Sequence, residues 1–176
     1  MEPRRMGWER EGPVVYRVMM VCTGNICRSP MAEVVLQQEA AEAGVDVEVE
    51  SSAISGWEVG NPIDSRAARV LRQAGYDVPD RVAQKLSRSH MEDFDLVLAM
   101  TDEHKRVIDR LAKRLPENRR PEVRLYREFA SDAKLRSPSE MNVPDPWYGT
   151  QDDFYLTLNT LQDATPNLLD HIKAQA

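Results

Sequence analysis

Val14-Val-Tyr-Arg-Val-Met-Met-Val-Cys-Thr-Gly-Asn-Ile-Cys-Arg-Ser-Pro-Met-Ala-Glu-Val-Val-Leu-Gln-Gln38 decides the architecture of this 176-residue chain. Its first part, to Val21, is an apolar stretch of strand-forming residues. Its last part, from Met31, has the spacing of a helix. A strand that runs into a tight bend and out into a helix is the opening unit of an α/β domain. The bend carries a thiol at Cys22 and a guanidinium at Arg28, with five residues between them. That layout suits a cysteine nucleophile attacking a phosphate ester.

A bend of this size can turn its backbone N–H groups inward into a concave anion site, and the following helix adds its positive dipole end. Gly24 supplies backbone freedom for close approach to a ligand. Asn25 tolerates left-handed geometry or bonds back to the loop. Pro30 fits a first helical turn, where its missing N–H costs nothing. Ser29 reads as an N-cap whose hydroxyl is free for the helix amides or a neighbouring thiolate. The same field favours ionised sulfur at Cys22, and cysteines so placed have pKa values of roughly 3.5–7.5 instead of about 8.5. Arg28 offers a planar fork that grips two phosphate oxygens at once.

Blander readings stand beside this one. Cysteines in a chain of this kind are often simple packing residues. Cys22 and Cys27 could be half of a zinc site, but His90, His104 and His171 are scattered and no second cysteine pair exists, so no metal is expected.

Expulsion of an alkoxide or phenoxide needs a proton, and a carboxylic acid on a loop is the usual donor. Asn142-Val-Pro-Asp-Pro-Trp-Tyr-Gly149 is such a loop. Pro144 and Pro146 hold Asp145 on a defined backbone. Trp147 and Tyr148 either pack on the sheet or wall a cleft deep enough for an aromatic phosphoester. Asp152 and Asp153 read as caps of the last helix.

With both stretches in hand, the chain resembles the low-molecular-weight protein tyrosine phosphatases. The likeness rests on Val21–Glu33, Asp145-Pro-Trp-Tyr-Gly149, Leu96–Met100 and Asp64-Ser-Arg-Ala67, in that family's order, and covers the chain from about Val14. The resemblance implies that Cys22 attacks phosphorus, Arg28 binds the equatorial oxygens, and Asp145 protonates the leaving tyrosine before activating water. It places Thr23, Gly24, Asn25, Ile26, Cys27 and Ser29 around a bound phosphate or other oxyanion, with Asn25 and Ser29 holding the loop and the thiolate. Trp57, Trp147 and Tyr148 would flank the substrate, and Ser52 would support the loop. Cys27 would be able to trap oxidised Cys22 as a reversible disulfide. Ile26 stands where phosphoarginine phosphatases carry threonine, which favours phosphotyrosine. The chain departs from the family at Ile54, where glycine is usual, and at Asp80, where a histidine is common. The second departure removes the histidine's support of Asn25 and brings a carboxylate near the loop.

The rest of the chain fits one domain. Its length is enough for a single sizeable core. A formal charge of −6 gives no general attraction for nucleic acid. No stretch is long or apolar enough to span a membrane, and residues 1–13 lack a signal-peptide core, so they read as a disordered extension before a domain at 14–176. Two cysteines, one a working thiolate, point to a reducing, cytoplasmic setting, though a non-classical secretory route stays compatible. No cofactor is expected, and the partner is a phosphotyrosine-containing protein.

Strands at Val15–Cys22, Val45–Ala53, Asp95–Met100 and Glu122–Leu125 alternate with helices at Pro30–Ala43, Asp64–Ala74, Asp102–Leu115 and Asp152–Lys173. Leu86–Phe94 reads as a short helix or turn. Pro166 should kink or split the last helix. This alternation predicts a four-stranded parallel sheet with helices on both faces, a Rossmann-like α/β fold with its site beyond the carboxyl ends of the strands. The run Lys113–Arg120 reads as a solvated helix end. Three other readings remain: a protein-arginine phosphatase, a thioredoxin-coupled arsenate reductase, which needs relay cysteines absent after Cys27, and a phosphoprotein-binding module without turnover.

Overall fold

In the computed structural model, which describes residues 15–175, the strand β1 (Tyr16–Cys22) is fully enclosed from Val18 onward. It lies second in a parallel sheet of order β2-β1-β3-β4, with β2 at Val47–Ala53, β3 at Leu96–Ala99 and β4 at Glu122–Leu125. A central parallel strand is covered on both faces, which is why its sequence reads as a continuous apolar run. Val18, Met20 and Cys22 face one core with Leu96 and Leu98, packed beneath helices α1 (Arg28–Glu42), α2 (Ser65–Gln73) and α5 (Gln151–Gln175). Met19 and Val21 face the other with Val97 and Ala99, beneath α3 (Arg88–Asp93) and α4 (Asp102–Ala112). The expected disordered extension at 1–13 lies outside the described residues.

The expected α/β architecture is the observed one, with element ends shifted by a few residues. Three boundaries have clear causes. The α2 helix starts after Asp64, whose carboxylate accepts the Arg66 N–H. The α3 helix starts after Ser87, which accepts from His90 N while the His90 ring accepts from Ser87 N. Arg120 closes the end of α4 by donating to the carbonyls of Leu115 and Lys113. The expected split at Pro166 is not found: α5 runs on through it as one helix. Leu161, Ala164, Leu168 and Ile172 are all buried along that stretch. Their burial outweighs the one backbone bond that Pro166 cannot donate to the Gln162 carbonyl.

The register puts the carboxyl ends of β1 and β2 side by side, Cys22 opposite Ala53. The loops after β1, β2 and β3 therefore emerge at one end of the sheet. Among the described residues no helix is long and apolar enough to cross a membrane.

Candidate active site

The loop from Cys22 to Arg28 is held by its carbonyls. Cys22 O accepts from Ile54 N (3.0 Å), Thr23 O from Ser55 N and Oγ, Asn25 O from Arg81 Nη1 (2.8 Å) and Ile26 O from Asp64 N (2.9 Å). With four carbonyls bonded to neighbouring segments, the loop's amides are left on its other edge. Among the described residues, no protein acceptor takes the N–H groups of Gly24, Ile26 or Cys27. Such a row of unclaimed amides is the physical basis of an anion nest. A Cβ at Gly24 would lie 3.2 Å from Glu58 Cγ, so any larger residue here needs that side chain to yield by a few tenths of an ångström.

Asn25 adopts φ 60°, as its sequence position suggested, and is completely buried. Its Oδ1 accepts from Gln84 N (3.0 Å) and from Arg81 Nη2, which fixes the amide's orientation. Nδ2 then donates to Ser29 Oγ at 2.8 Å. Ser29 Oγ also lies 3.0 Å from Cys22 Sγ, where the hydroxyl is the donor once the sulfur is ionised, and Asn25 N–H donates to the same sulfur at 3.3 Å. As a thiolate the sulfur accepts both bonds, and Cys22 is only 3% exposed. Ser29 is not the N-cap expected from sequence: α1 begins at Arg28, and Cys27 precedes it without any side-chain cap. The hydroxyl serves the sulfur instead.

The departure at Asp80 does not leave Asn25 unsupported. Asp80 is exposed, and its neighbour Arg81 supplies the brace. Burial pulls Arg81 below the usual arginine range while the charge of Glu33 holds it up. Glu33 is itself raised by burial and bonded to Ser51. Ser52, expected to support the loop, faces the other core and donates to Met19 Sδ at 3.2 Å. Ser51 is the serine on the loop's side, accepting from Arg81 Nη2 at 3.3 Å. Alternate residues of a strand point to opposite faces, so one position decides the role.

Arg28 is 5% exposed. It donates through Nη1 to Val143 O (3.3 Å) and through Nη2 to Thr23 Oγ1 (3.4 Å), and Nη2 lies 3.5 Å from Asp145 Oδ2. The Asp145 loop is tied down at Val143, whose N–H bonds Met100 O beyond β3, and at Arg66. Arg66 pairs with Asp64, donates to Trp147 O (3.2 Å), and lies over the rings of Trp147 and Phe154. Asp145 Oδ1 accepts from Trp147 N, closing the turn. Gly149 is required because a Cβ there would sit 2.0 Å from Asp153 Oδ2, which accepts the Thr150 N–H at the start of α5. Trp57 (82% exposed) and Tyr148 (92%) are not spent on the core, and Trp147 is 40% exposed with the Arg66 guanidinium 5.3 Å from its ring centroid.

Cys27 is a buried thiol; burial first, then the charge of Asp64, pushes it far up. Both cysteines are free. Among the described residues no cluster of three or more histidine, cysteine or acidic side chains could hold a metal ion.

His104 was one of the scattered histidines of the sequence, and it reaches this site. Its Nε2 lies 2.8 Å from Thr23 Oγ1. Burial, then the Arg28 charge, pulls it down to about 3. Its folded value is thus below the ordinary one, so acid favours the unfolded chain, which takes a proton the folded chain refuses. Stability is expected to fall as pH drops below about 6.5, with this group contributing a slope of up to about 1.4 kcal/mol per pH unit. Urea unfolding between pH 6.5 and 5 should show a shallower slope for His104→Gln; identical slopes would remove His104 as a source.

Residues 17–176 match the family described as low molecular weight phosphotyrosine protein phosphatase. A low molecular weight protein-tyrosine-phosphatase of Streptomyces coelicolor is 38% identical over 164 residues, 92% of this chain and 96% of its own. The protein tyrosine phosphatase of Entamoeba histolytica superposes with a TM-score of 0.80 at 26% identity, over 91% of this chain and 98% of that one. The arginine phosphatase YwlE, in a cysteine-to-serine mutant with a phosphorylated active-site serine, superposes with a TM-score of 0.76 at 30% identity, over 89% of this chain and 95% of that one.

Proposed function

This chain belongs to the low molecular weight phosphotyrosine protein phosphatases, and we propose that it hydrolyses phosphotyrosine in proteins through a phosphocysteine on Cys22. The observation that carries this reading is the meeting of a hydrogen-bonded sulfur, a buried guanidinium and a loop carboxylate 3.5 Å from that guanidinium.

In the first step Cys22 Sγ attacks phosphorus and the bond from phosphorus to the tyrosine oxygen breaks. Asp145, carrying the proton, gives it to the departing phenoxide. Arg28 and the free amides of the loop hold the equatorial oxygens as their charge grows. In the second step water attacks phosphorus, Asp145 takes its proton, and the sulfur leaves. Inorganic phosphate is released and the enzyme is restored. Thr23, Gly24, Asn25, Ile26, Cys27 and Ser29 line the oxyanion site, with Trp57, Trp147 and Tyr148 flanking the aromatic ring. Ile26 favours phosphotyrosine over phosphoarginine. The absence of any cysteine after Cys27 speaks against a reductase relay. The reducing environment that a working thiolate needs fits a cytoplasmic setting.

The deciding measurement is phosphate release from phosphotyrosine, phosphoserine and phosphoarginine peptides. Phosphotyrosine should dominate; a preference for phosphoarginine would move the chain to the activity of YwlE. Asp145→Asn is expected to lower the rate by roughly 10²–10⁴-fold on phenyl phosphates. The loss should shrink as the leaving phenol becomes more acidic. An equal loss across a leaving-group series would take Asp145 out of proton transfer.

A further inference from the structure

The Thr23 hydroxyl lies 3.4 Å from Nη2 of Arg28, the guanidinium assigned above to the phosphoryl oxygens, and its hydrogen bonds can be counted. Thr23 Oγ1 has two neighbours: Arg28 Nη2 at 3.4 Å and His104 Nε2 at 2.8 Å. The guanidinium can only donate. What the imidazole does depends on its tautomer.

His104 is 1% exposed and sits in the first turn of α4, and its Nδ1 is buried without a hydrogen-bond partner among the described residues. Burial and the adjacent guanidinium keep the ring neutral, so it carries one N–H. A proton on Nδ1 would be a buried donor with nothing to accept it. A proton on Nε2 is donated to Thr23 Oγ1 and leaves only a lone pair unused. An orphaned buried N–H is the rarer of these defects in folded proteins. Nε2–H is therefore the form the surroundings select.

Thr23 Oγ1 then accepts twice, from His104 and from Arg28. Both of its lone pairs are engaged, and its own O–H has no acceptor among the described residues. We propose that the Thr23 hydroxyl is a further hydrogen-bond donor to the phosphoryl oxygens, aimed into the site by His104 acting as a positioning residue. This rests on the phosphatase reading above and deepens it. It adds a neutral side-chain donor to the backbone amides and Arg28, on the side where Arg28 meets Asp145.

Two measurements test it. The first is binding of inorganic phosphate by titration calorimetry, alongside kcat and KM on an aryl phosphate. Thr23→Val should weaken phosphate binding and lower kcat/KM by roughly ten- to hundredfold, the range for a bond to a charged group. Thr23→Ser, which keeps the hydroxyl, should restore most of both. If the wild type binds phosphate and Thr23→Val binds it equally well, the donor role is overturned. If the wild type neither binds phosphate nor turns over, the phosphatase reading itself fails. The second is nitrogen-15 NMR of the imidazoles in the unaltered protein. His104 protonated at Nε2 supports the proposal; His104 protonated at Nδ1 overturns it, because Thr23 would then spend its proton on the ring.

Discussion

Cys22→Ser is expected to fold normally and to lose phosphatase activity by roughly 10⁴-fold or more, the scale seen when a covalent nucleophile is removed. The replacement is nearly isosteric, and Cys22 sits at a strand end already bonded to Ser29 Oγ and Asn25 N–H. A hydroxyl can take the place of the sulfur in both bonds, so the loop keeps its shape. What changes is chemistry. A hydroxyl needs an adjacent base to become a nucleophile, and a thiolate does not. Asp145, the carboxylate beside Arg28, serves the leaving group in the proposed mechanism. The variant should still bind phosphopeptides, so calorimetry and turnover must part company. If Cys22→Ser retained more than a few per cent of the rate, covalent catalysis at this sulfur would be ruled out.

Arg28→Lys should lower turnover by roughly 10³–10⁵-fold, the range recorded for removal of a guanidinium that stabilises transferring phosphoryl. Three partners explain why the substitution is not conservative. Arg28 uses separate nitrogens for Val143 O and for Thr23 Oγ1 with Asp145 Oδ2. An ammonium is a point charge on a flexible stem and cannot hold both ends of that arrangement while gripping two phosphate oxygens. The Val143 carbonyl also anchors the loop that carries Asp145, so positioning of the acid should suffer too. Steady-state kinetics should put most of the loss in kcat. A defect confined to KM would mean that Arg28 binds the ground state and transition state alike.

Much of this site is local, and local features are legible in sequence. Cys22, Gly24, Asn25 and Arg28 lie in one bend whose geometry follows from the strand before it and the helix after it. The Asp145 turn is framed by its own prolines and glycine. The supports were hidden because they join distant parts of the chain. Arg81 reaches Asn25 across 56 residues, and His104 reaches Thr23 across 81. No periodicity or spacing encodes such contacts; they exist only once the sheet order places those loops together. Ser51 and Ser52 show a second limit. Both lie in the expected strand, but the pleat sends them to opposite cores, and a shift of one residue exchanges their roles. Pro166 shows a third, because packing along α5 overrides a strong local signal.

Arg81 has a consequence for the conditions under which this loop holds its shape. An imidazole bracing Asn25 would change its charge near neutrality, coupling the loop to every swing in ambient acidity. A guanidinium keeps its proton throughout the range that living cells experience. In this chain the guanidinium itself does not switch, so any response of this fastening to acid enters through Glu33, the burial-raised carboxylate whose charge holds Arg81 up.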